Sequence, residues 1–451
     1  MEQAPVVRHE SAPSRATTYP LLDALLNRRS RRFGAGMRLN GGPLAYQSAR
    51  LPQPLSLSEQ AALAFAACGI TGYALGELPY QTGDTPEAGG GNIMIHFIAR
   101  TVPSGDAAHC VSLFVIDDHG AWMLKRPQDF PRAEIPELVR PAHEQRLVEL
   151  YERSCVQLAA RRLEVPRELP YTMPFNKWST NQPGTTTFLP VAELTALTIN
   201  IMLAAFSEEI GYFLLDEHNG FRPAGLAQFA RSKGGHLNDD PAANRIATLE
   251  IAEGWLYEFT ALEQGAMLQN LGLMTEALGL GGFPYFAAHP FIWLQTLGFR
   301  IEQIPLSRTI GANPFMKMIM QMLKKDPAVP TAIGLEHAGQ ALIKPFCPPY
   351  YRTMEVAVLS FVNYKCAPGR GTQADGGAAT AWRDGAAVQQ DIPRPSDRAI
   401  EATIACCDYI YRRYGRFPRS SGPFRTVLAY QAHHLDPDFY AQFYGASATV
   451  G

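Results

Sequence analysis

The chain has 451 residues, with 40 Lys and Arg against 42 Asp and Glu, so its formal charge is only −2. Hydrophobic residues make up 46% of the chain and charged residues 18%, which is typical of a globular protein with a large core and not of a disordered one. The near balance of charge argues against a nucleic-acid-binding protein, because such proteins depend largely on neutralising phosphates.

The chain carries no sign of membrane insertion or export. No stretch reaches the roughly 18 consecutive apolar residues of a membrane span, and the first residues lack the apolar core of a signal peptide. The seven cysteines are odd in number and form no CxxC pair, which favours reduced thiols over a disulfide framework. We therefore expect a soluble, cytoplasmic protein without a metal site.

The first part of the chain alternates between helix and strand patterns. Residues 1–18 are rich in Pro, Ser and charge and are predicted to be a flexible tail. The leucines of residues 19–29 follow one face of a short helix. A second helix is predicted over residues 56–69, because a serine N-cap precedes Glu59 and Gly69 ends the pattern.

The middle of the chain contains strand runs and long helical patterns. Short β-branched and aromatic runs predict strands at 93–100 and 111–116, and residues 117–124 are predicted to be a hairpin turn that leads into a third strand. Apolar spacing predicts the remaining elements: a long helical region over 134–162, a strand over 185–191, a buried helix over 192–213 and a helical block over 247–280 that stops at Gly279.

The last third of the chain differs in composition. A helix with a methionine-rich face is predicted over 314–327, and a strand or hairpin over 333–351. Residues 367–395, rich in Gly, Ala and Pro, are predicted to be a flexible linker. A helix capped by Ser396 and a second docked helix within 414–444 follow. The predicted organisation is a tail of residues 1–18, a main domain of 19–300, its continuation over 301–366, a linker of 367–395 and a helical extension of 396–451.

An arginine-rich segment follows the first predicted helix. Residues 28–32 are Arg-Arg-Ser-Arg-Arg. A guanidinium group binds phosphate oxygens through two parallel hydrogen bonds, and a nearby hydroxyl adds another donor. The spacing of Arg28, Ser30 and Arg32 therefore predicts a site for one phosphate monoester, with a solvated run of surface charge as the alternative.

Two segments of small residues accompany the arginines. One is a tight turn directly before a predicted strand, where the backbone can approach a flat ligand; it consists of Pro103, Ser104, Gly105, Asp106 and Ala107. The other is the end of the helical block, where the chain runs into Gly279-Leu280-Gly281-Gly282 and again exposes its backbone.

In this order, the three segments resemble the FMN-dependent nitroreductase family, and most closely the branch with the dehydrogenases that oxidise azolines to thiazoles and oxazoles in peptides. The resemblance covers roughly residues 20–300. It implies an FMN phosphate bound by Arg28, Ser30 and Arg32, with Arg29 able to substitute. It also implies that the turn of residues 103–107 and the loop of residues 281–287 contact the isoalloxazine ring, the loop through Gly281, Gly282 and Pro284.

The sequence departs from the family pattern at several positions. Ala107 stands where many members have Asn, and the carboxylate of Asp106 would disfavour reduced, anionic flavin if it pointed towards the ring. Phe286 and Ala287 stand where other members often have Glu-Gly, so the family's nicotinamide-binding features are not assumed. The family's late phosphate-binding cation has three candidates here, Lys365, Arg352 and Arg370.

A polar loop supplies candidates for the substrate side of the pocket. Residues 175–186 contain Asn176, Trp178 and Asn181 beside a Pro-Gly turn, and Phe286 joins them as a candidate from the later loop. An ordinary polar loop explains residues 175–186 equally well.

The sequence thus predicts an α+β fold of the nitroreductase-like type, with a central, mainly antiparallel sheet wrapped by helices and a C-terminal helical extension. The resemblance implies a homodimer with FMN at or near its interface, acting as an oxidoreductase on a small organic or peptide-derived substrate, with NAD(P)H as a candidate electron donor. The flavin would carry the chemistry, so no side chain is assigned as a catalytic acid or base. The alternative is a flavin-binding scaffold or partner-binding subunit of a biosynthetic complex, without turnover. No nucleic acid or membrane partner is expected.

Overall fold

The computed structural model describes residues 12–77, 82–89, 93–286, 289–367 and 380–445. Within these ranges the helices are α1 Ser14–Thr18, α2 Leu21–Asn27, α3 Leu57–Cys68, α4 Ile135–His143, α5 Leu147–Ser154, α6 Thr195–Ala205, α7 Leu249–Leu278, α8 Pro290–Thr296, α9 Leu306–Thr309, α10 Pro314–Met322, α11 Met354–Cys366, α12 Gly385–Gln390, α13 Asp397–Tyr414 and α14 Pro437–Phe443.

The same ranges contain the following strands: β1 Arg38–Leu39, β2 Tyr46–Gln47, β3 Ile70–Tyr73, β4 Ile98–Arg100, β5 Val111–Ile116, β6 Ala121–Leu124, β7 Cys155–Ala159, β8 Thr186–Glu193, β9 Phe213–Asp216, β10 Arg222–Pro223, β11 Ile246–Thr248, β12 Gly281–Tyr285, β13 Phe299–Pro305, β14 Ala328–His337, β15 Gln340–Ile343, β16 Phe424–Arg425 and β17 Ala429–His433.

The centre of the fold is a seven-stranded sheet in the order β12-β17-β8-β5-β6-β7, with β16 also paired to β8. Its pairings are antiparallel. Both β5 and β8 are buried along their whole length, because apolar layers cover both faces of the sheet. The predicted α+β fold with a central, mainly antiparallel sheet wrapped by helices is confirmed.

The two faces of this sheet belong to two cores. Successive side chains of a strand point to opposite faces, so Leu113 of β5 joins a core with α3, α6 and α7. Its neighbour Phe114 joins a second core with Phe283 of β12, α8 and the small sheet β13-β14-β15. The strand β12 lies at one edge of the central sheet and is therefore accessible to segments that cross that edge.

The longest helix, α7, has 30 residues and spans about 45 Å. Thr248 caps its start by accepting a hydrogen bond from the amide of Ile251, and Gly279 ends it in the left-handed conformation at a φ of 73°. Both signals are local in sequence, and the predicted stop at Gly279 is confirmed. Because α7 runs along the sheet, it positions segments that are far apart in the chain.

The long helical region predicted over residues 134–162 contains two helices, α4 and α5, but it is interrupted and ends earlier than predicted. Pro141 lies within α4 and Gln145 has a φ of 57°, so the chain breaks between α4 and α5. After α5, residues Cys155–Ala159 pair with β6 as strand β7. The open hydrogen-bonding edge of β6 explains this strand, and Cys155 starts it instead of lying within a helix.

Residues 414–444 do not form the predicted second docked helix. Strand β17 is buried and hydrogen-bonded between β12 and β8 in the central sheet, and α14 is the only helix of this segment. The preceding helix α13 runs over the predicted residues with Ser396 as its N-cap and packs against α6 and α11. The C-terminal segment is therefore built into the sheet and not appended to it.

Some predicted segments fall partly outside the described residues. The described end of the predicted tail contains α1, and the described end of the predicted linker contains α12; residues 1–11 and 368–379 lie outside. Of the strand predicted at 93–100, only Ile98–Arg100 pairs, with β3. In the described part of the chain, no disulfide joins Cys68, Cys110, Cys155, Cys347, Cys406 or Cys407. No helix in the described ranges is long and apolar enough to cross a membrane.

Candidate functional site

The arginine segment begins where α2 ends. Arg28, Arg29 and Ser30 are exposed. The guanidinium group of Arg29 donates to the carbonyls of Leu26 and Arg28 at 3.1 and 3.0 Å, which holds it over the C-terminal end of α2, where carbonyls lack helical partners. Within the described ranges, neither Arg28 nor Arg29 forms an ion pair. Both therefore keep donors that face solvent.

Four arginines surround a single carboxylate near the C-terminal end of α7. Arg31 lies 3.5 Å from Glu276. Burial raises the pKa of the Glu276 carboxyl, and the positive charges of Arg31, Arg29, Arg15 and Arg28 oppose that rise. Four positive charges face one negative charge here, so the surface attracts anions. We call residues Arg15, Arg28, Arg29, Ser30 and Arg31 with Glu276 the arginine surface.

Arg32 points into the protein. Its Nη2 donates to Oδ1 of Asn176 at 2.6 Å, and its guanidinium group lies over the rings of Phe283 and Trp178, at 4.5 and 5.4 Å from their centroids. Burial lowers the pKa of Arg32, and its Nε is buried without a hydrogen-bond partner. Asn176 also donates to the carbonyl of Phe286 at 2.6 Å. Three residues predicted for the substrate side, Asn176, Trp178 and Phe286, thus lie around Arg32, which the sequence predicts to bind the phosphate.

Arg28 and Arg32 approach the edge strand β12 from opposite faces. Arg28 packs next to Gly272 of α7, on the side where Tyr430 points. Arg32 covers Phe283, which belongs to the core on the other face. The two guanidinium groups therefore do not converge on one phosphate in this arrangement, because stacking and the bond to Asn176 hold Arg32 away from Arg28.

The predicted loop from Gly281 is a strand as far as Tyr285. A Cβ built on Gly281 would lie 2.6 Å from Nε2 of His433, and one built on Gly282 would lie 2.6 Å from the hydroxyl of Tyr430. These glycines therefore make room for side chains of β17. Pro284 is exposed on the sheet edge, and Ala287 lies outside the described residues.

The turn of residues 103–107 is bonded to α7. Ser104 donates to Oε2 of Glu263 at 2.6 Å and accepts from the amide of His109 at 2.8 Å. A Cβ on Gly105 would lie 2.9 Å from Cβ of Phe259. Glu263 also pairs with Arg100 and accepts from the amide of Val111 at 3.1 Å. Pro103 is exposed, and the backbone of Ala107 has a φ of 48°.

A second polar chain begins at the same turn. Asn200 of α6 donates to Oδ2 of Asp106 at 2.9 Å and accepts from Nζ of Lys365 at 2.7 Å. Burial raises the pKa of Asp106, which the bond to Asn200 and the charge of Lys365 oppose. Burial lowers the pKa of Lys365 to about 8. Lys365 thus belongs to this turn and not to the arginine surface.

The remaining candidates lie elsewhere. Asn181 exchanges hydrogen bonds with the backbone of Val165, at 3.3 and 2.8 Å, and so stabilises its own loop. Arg352 is exposed, and Arg370 lies outside the described residues. Sequence reasoning missed Asn200 and Glu263. For Asn200 the available signal was an amide within the apolar helix α6, whereas Glu263 is one of five glutamates in α7 and no local signal distinguishes it.

Helix α7 separates the turn from the arginine surface. The turn contacts Phe259 and Glu263, whereas Arg28 and Arg31 contact Gly272 and Glu276. Phe259 and Gly272 are 13 positions apart in the sequence, and so are Glu263 and Glu276. This separation corresponds to about 20 Å along the helix. The arginine surface has exposed donors, whereas polar groups of the turn are hydrogen-bonded to α6 and α7.

No family model and no curated protein matches the chain. Among solved structures, the chain is similar to a crystal structure of a "putative nitroreductase" from Ralstonia eutropha JMP134. The two are 15% identical, the match covers 65% of this chain and 79% of that one, and the TM-score is 0.29. A likeness of this size does not assign the chain to a family.

Proposed function

We propose that the chain is an FMN-dependent oxidoreductase acting on a small organic or peptide-derived substrate, and that Arg28, Arg29 and Ser30 bind the FMN phosphate. The observation that carries this proposal is the excess of positive charge around Glu276, next to exposed donors. A dianionic phosphate would compensate that charge through charge-assisted hydrogen bonds. The choice of FMN among phosphates rests on the sequence resemblance to nitroreductases.

Bound FMN would supply hydride transfer, and the chain's own residues would bind and orient it. The arginine surface holds a phosphate at the end of α2. Arg32 and Asn176 form a fixed polar pair over Phe283, which suits them to orient a ligand next to β12. NAD(P)H remains the candidate electron donor.

We propose further that the enzyme is a homodimer. The turn and the arginine surface of one chain are about 20 Å apart along α7, so a second copy would have to bring its own turn to the cofactor. The leucines of α2 support this arrangement, because Leu21, Leu22, Leu25 and Leu26 are 52–66% exposed beside the arginine surface. Exposed apolar patches of this kind favour protein contacts.

A flavin-binding scaffold without turnover is the second candidate. Its support is the packing of Gly105, Gly281 and Gly282 against Phe259, His433 and Tyr430. Because the protein's own side chains occupy the space next to these glycines, less backbone is open to a flavin ring. A scaffold would keep the phosphate contact but would not need a reactive ring position.

The first experiment is an absorbance titration of the purified full-length protein with FMN. We expect Arg28→Ala/Arg29→Ala to raise the FMN dissociation constant at least 100-fold, since a hydrogen bond to a charged group contributes about 1.5–3 kcal/mol. The control is Arg398→Ala/Arg412→Ala, which removes two exposed arginines of α13 and should leave binding unchanged. Equal affinities in the two double variants would refute the phosphate assignment.

The second experiment separates the two candidate functions. Bleaching of the bound flavin by NADH or NADPH supports the oxidoreductase. Bound flavin that neither a nicotinamide nor a substrate reduces supports the scaffold. A protein that binds no FMN at all would exclude both.

A further inference from the structure

A cleft opens on the face of the central sheet that α3 and α5 cover. Its volume is about 610 Å³, which is within the range of small-molecule sites. It lies where the start of α3 and the end of α5 leave part of β6 and β7 uncovered. Trp122 of β6 forms its floor, because it pairs with Val115 and Gln157 and shares the face of the first core.

The charged groups of this cleft are acidic. Asp117 and Glu152 line it together with His119, and the described residues of the lining include no lysine or arginine. Asp117 is fixed in place: it accepts from Nε2 of Gln60 at 2.6 Å and from the amides of His119 and Gly120 at 2.7 and 3.0 Å. Glu152 is exposed and is therefore available to a ligand. The cleft is thus lined by two carboxylates, one fixed by hydrogen bonds and one exposed.

The two helix ends at the cleft favour the same sign of ligand. Glu152 lies in the last turn of α5, where the helix dipole adds partial negative charge. The opposite dipole at the start of α3 is offset by Glu59, which accepts from the amide of Ser56 at 2.7 Å. A cation in the cleft would therefore meet attraction from α5 and little repulsion from α3.

Aromatic surface accompanies the carboxylates. Trp122 is half-buried and lines the cleft with Tyr151. A cation over the face of an indole ring is attracted by the ring quadrupole. Gly120 lies against Trp122, with a Cβ on Gly120 placed 2.9 Å from Cη2 of the indole, which restricts the ring's movement. The cleft therefore offers a fixed aromatic face beside a free carboxylate.

We propose that this cleft binds an organic cation, namely a guanidinium or primary ammonium group on an aliphatic stem. The stem packs on Trp122, and the charged end meets Glu152 in the field of Asp117. The same chemistry occurs in an arginine or lysine side chain of a peptide and in a free diamine. This site needs no flavin, so its test is independent of the proposed oxidoreductase function.

The test is a fluorescence and saturation-transfer NMR titration of the full-length protein with N-acetyl-arginine amide and with N-acetyl-citrulline amide. Citrulline has nearly the shape of arginine without its charge. We expect saturable binding of the arginine probe and at least fivefold weaker binding of the citrulline probe. Glu152→Gln and Trp122→Phe should each weaken the arginine probe at least threefold, whereas Glu258→Gln on α7 should not change it.

Agmatine and putrescine distinguish the two sources of the cation. Tighter binding of the capped arginine indicates a peptide side chain, and tighter binding of the free amines indicates a small diamine; both results support the cation site. The proposal is overturned if no probe binds saturably, if arginine and citrulline bind equally, or if binding is unchanged in both Glu152→Gln and Trp122→Phe. Circular dichroism confirms that the variants are folded.

Discussion

The arginine surface and the turn of residues 103–107 are both predicted to bind one cofactor. Their polar groups differ in whether they face solvent or are hydrogen-bonded within the protein. At the arginine surface, donors of Arg28 and Arg29 face solvent, and the Glu276 carboxylate forms an ion pair only with Arg31 among the described residues. At the turn, Ser104 is bonded to Glu263, and Asp106 is bonded through Asn200 to Lys365.

This difference shows that a motif's residue types do not by themselves indicate whether its donors are free. The turn satisfies its polar groups internally and ties β5 to α6 and α7. At the arginine surface, Arg28, Arg29 and Ser30 are exposed to solvent. Changes at the turn should therefore affect mainly stability, and changes at the arginine surface should affect mainly binding.

The largest expected effect is at Glu263. Replacing it by Gln leaves the buried Arg100 without its counter-charge, and the side chains of this pair are 1% and 0% exposed. We expect Glu263→Gln to lower the free energy of unfolding by about 3–5 kcal/mol, measured by urea denaturation. The control Glu258→Gln, on the exposed side of the same helix, should change it by less than about 0.5 kcal/mol. Similar losses in both variants would contradict a structural role for the turn.

The next effect is a pH dependence at Lys365. Burial lowers its pKa from 10.5 to about 8, so between these pH values the unfolded chain binds more protons than the folded protein. The free energy of unfolding contributed by Lys365 therefore rises with pH through this window. Relative to Lys365→Met, the wild type should gain about 3 kcal/mol between pH 8 and 10.5.

Urea denaturation at the two pH values measures this difference, in which the titration of other groups cancels. Lys324→Met, at an exposed position, is the matched control and should show no such gain. A wild-type advantage over Lys365→Met that does not change with pH would show that the amine is not buried at the turn.

The smallest effects concern two glycines. Gly281→Ala places a methyl group against His433 and should destabilise the fold by about 1–3 kcal/mol. Gly265→Ala on α7 meets open space and should stabilise it by about 0.8–1 kcal/mol. Thermal unfolding of the two variants decides whether β12 is packed as described. A stabilised Gly281→Ala variant would mean that the strand exposes its backbone as the sequence suggested.

Local signals explain the parts of the fold that the sequence predicts well. Helix α3 has its capping box of Ser56 and Glu59, and α13 has its cap at Ser396 and its stop at Gly415. Each signal is contained within a few residues of the element. The strand β5 is likewise a continuous buried apolar run.

Long-range contacts explain what the sequence does not predict. Strands β7 and β17 form because open edges of β6, β8 and β12 accept them, and no local pattern indicates those edges. The bond from Arg32 to Asn176 joins residues 144 positions apart. Both were candidates from sequence, but their pairing, and with it the inward orientation of Arg32, depends on the folded sheet.

The most direct test of the account compares FMN with riboflavin, which lacks the phosphate, by absorbance titration of the wild-type protein. If the arginine surface binds the phosphate, FMN should bind at least 100-fold more tightly than riboflavin, in line with two or more charge-assisted hydrogen bonds. This advantage should shrink in Arg28→Ala/Arg29→Ala. Equal affinity of the wild type for FMN and riboflavin would contradict the account.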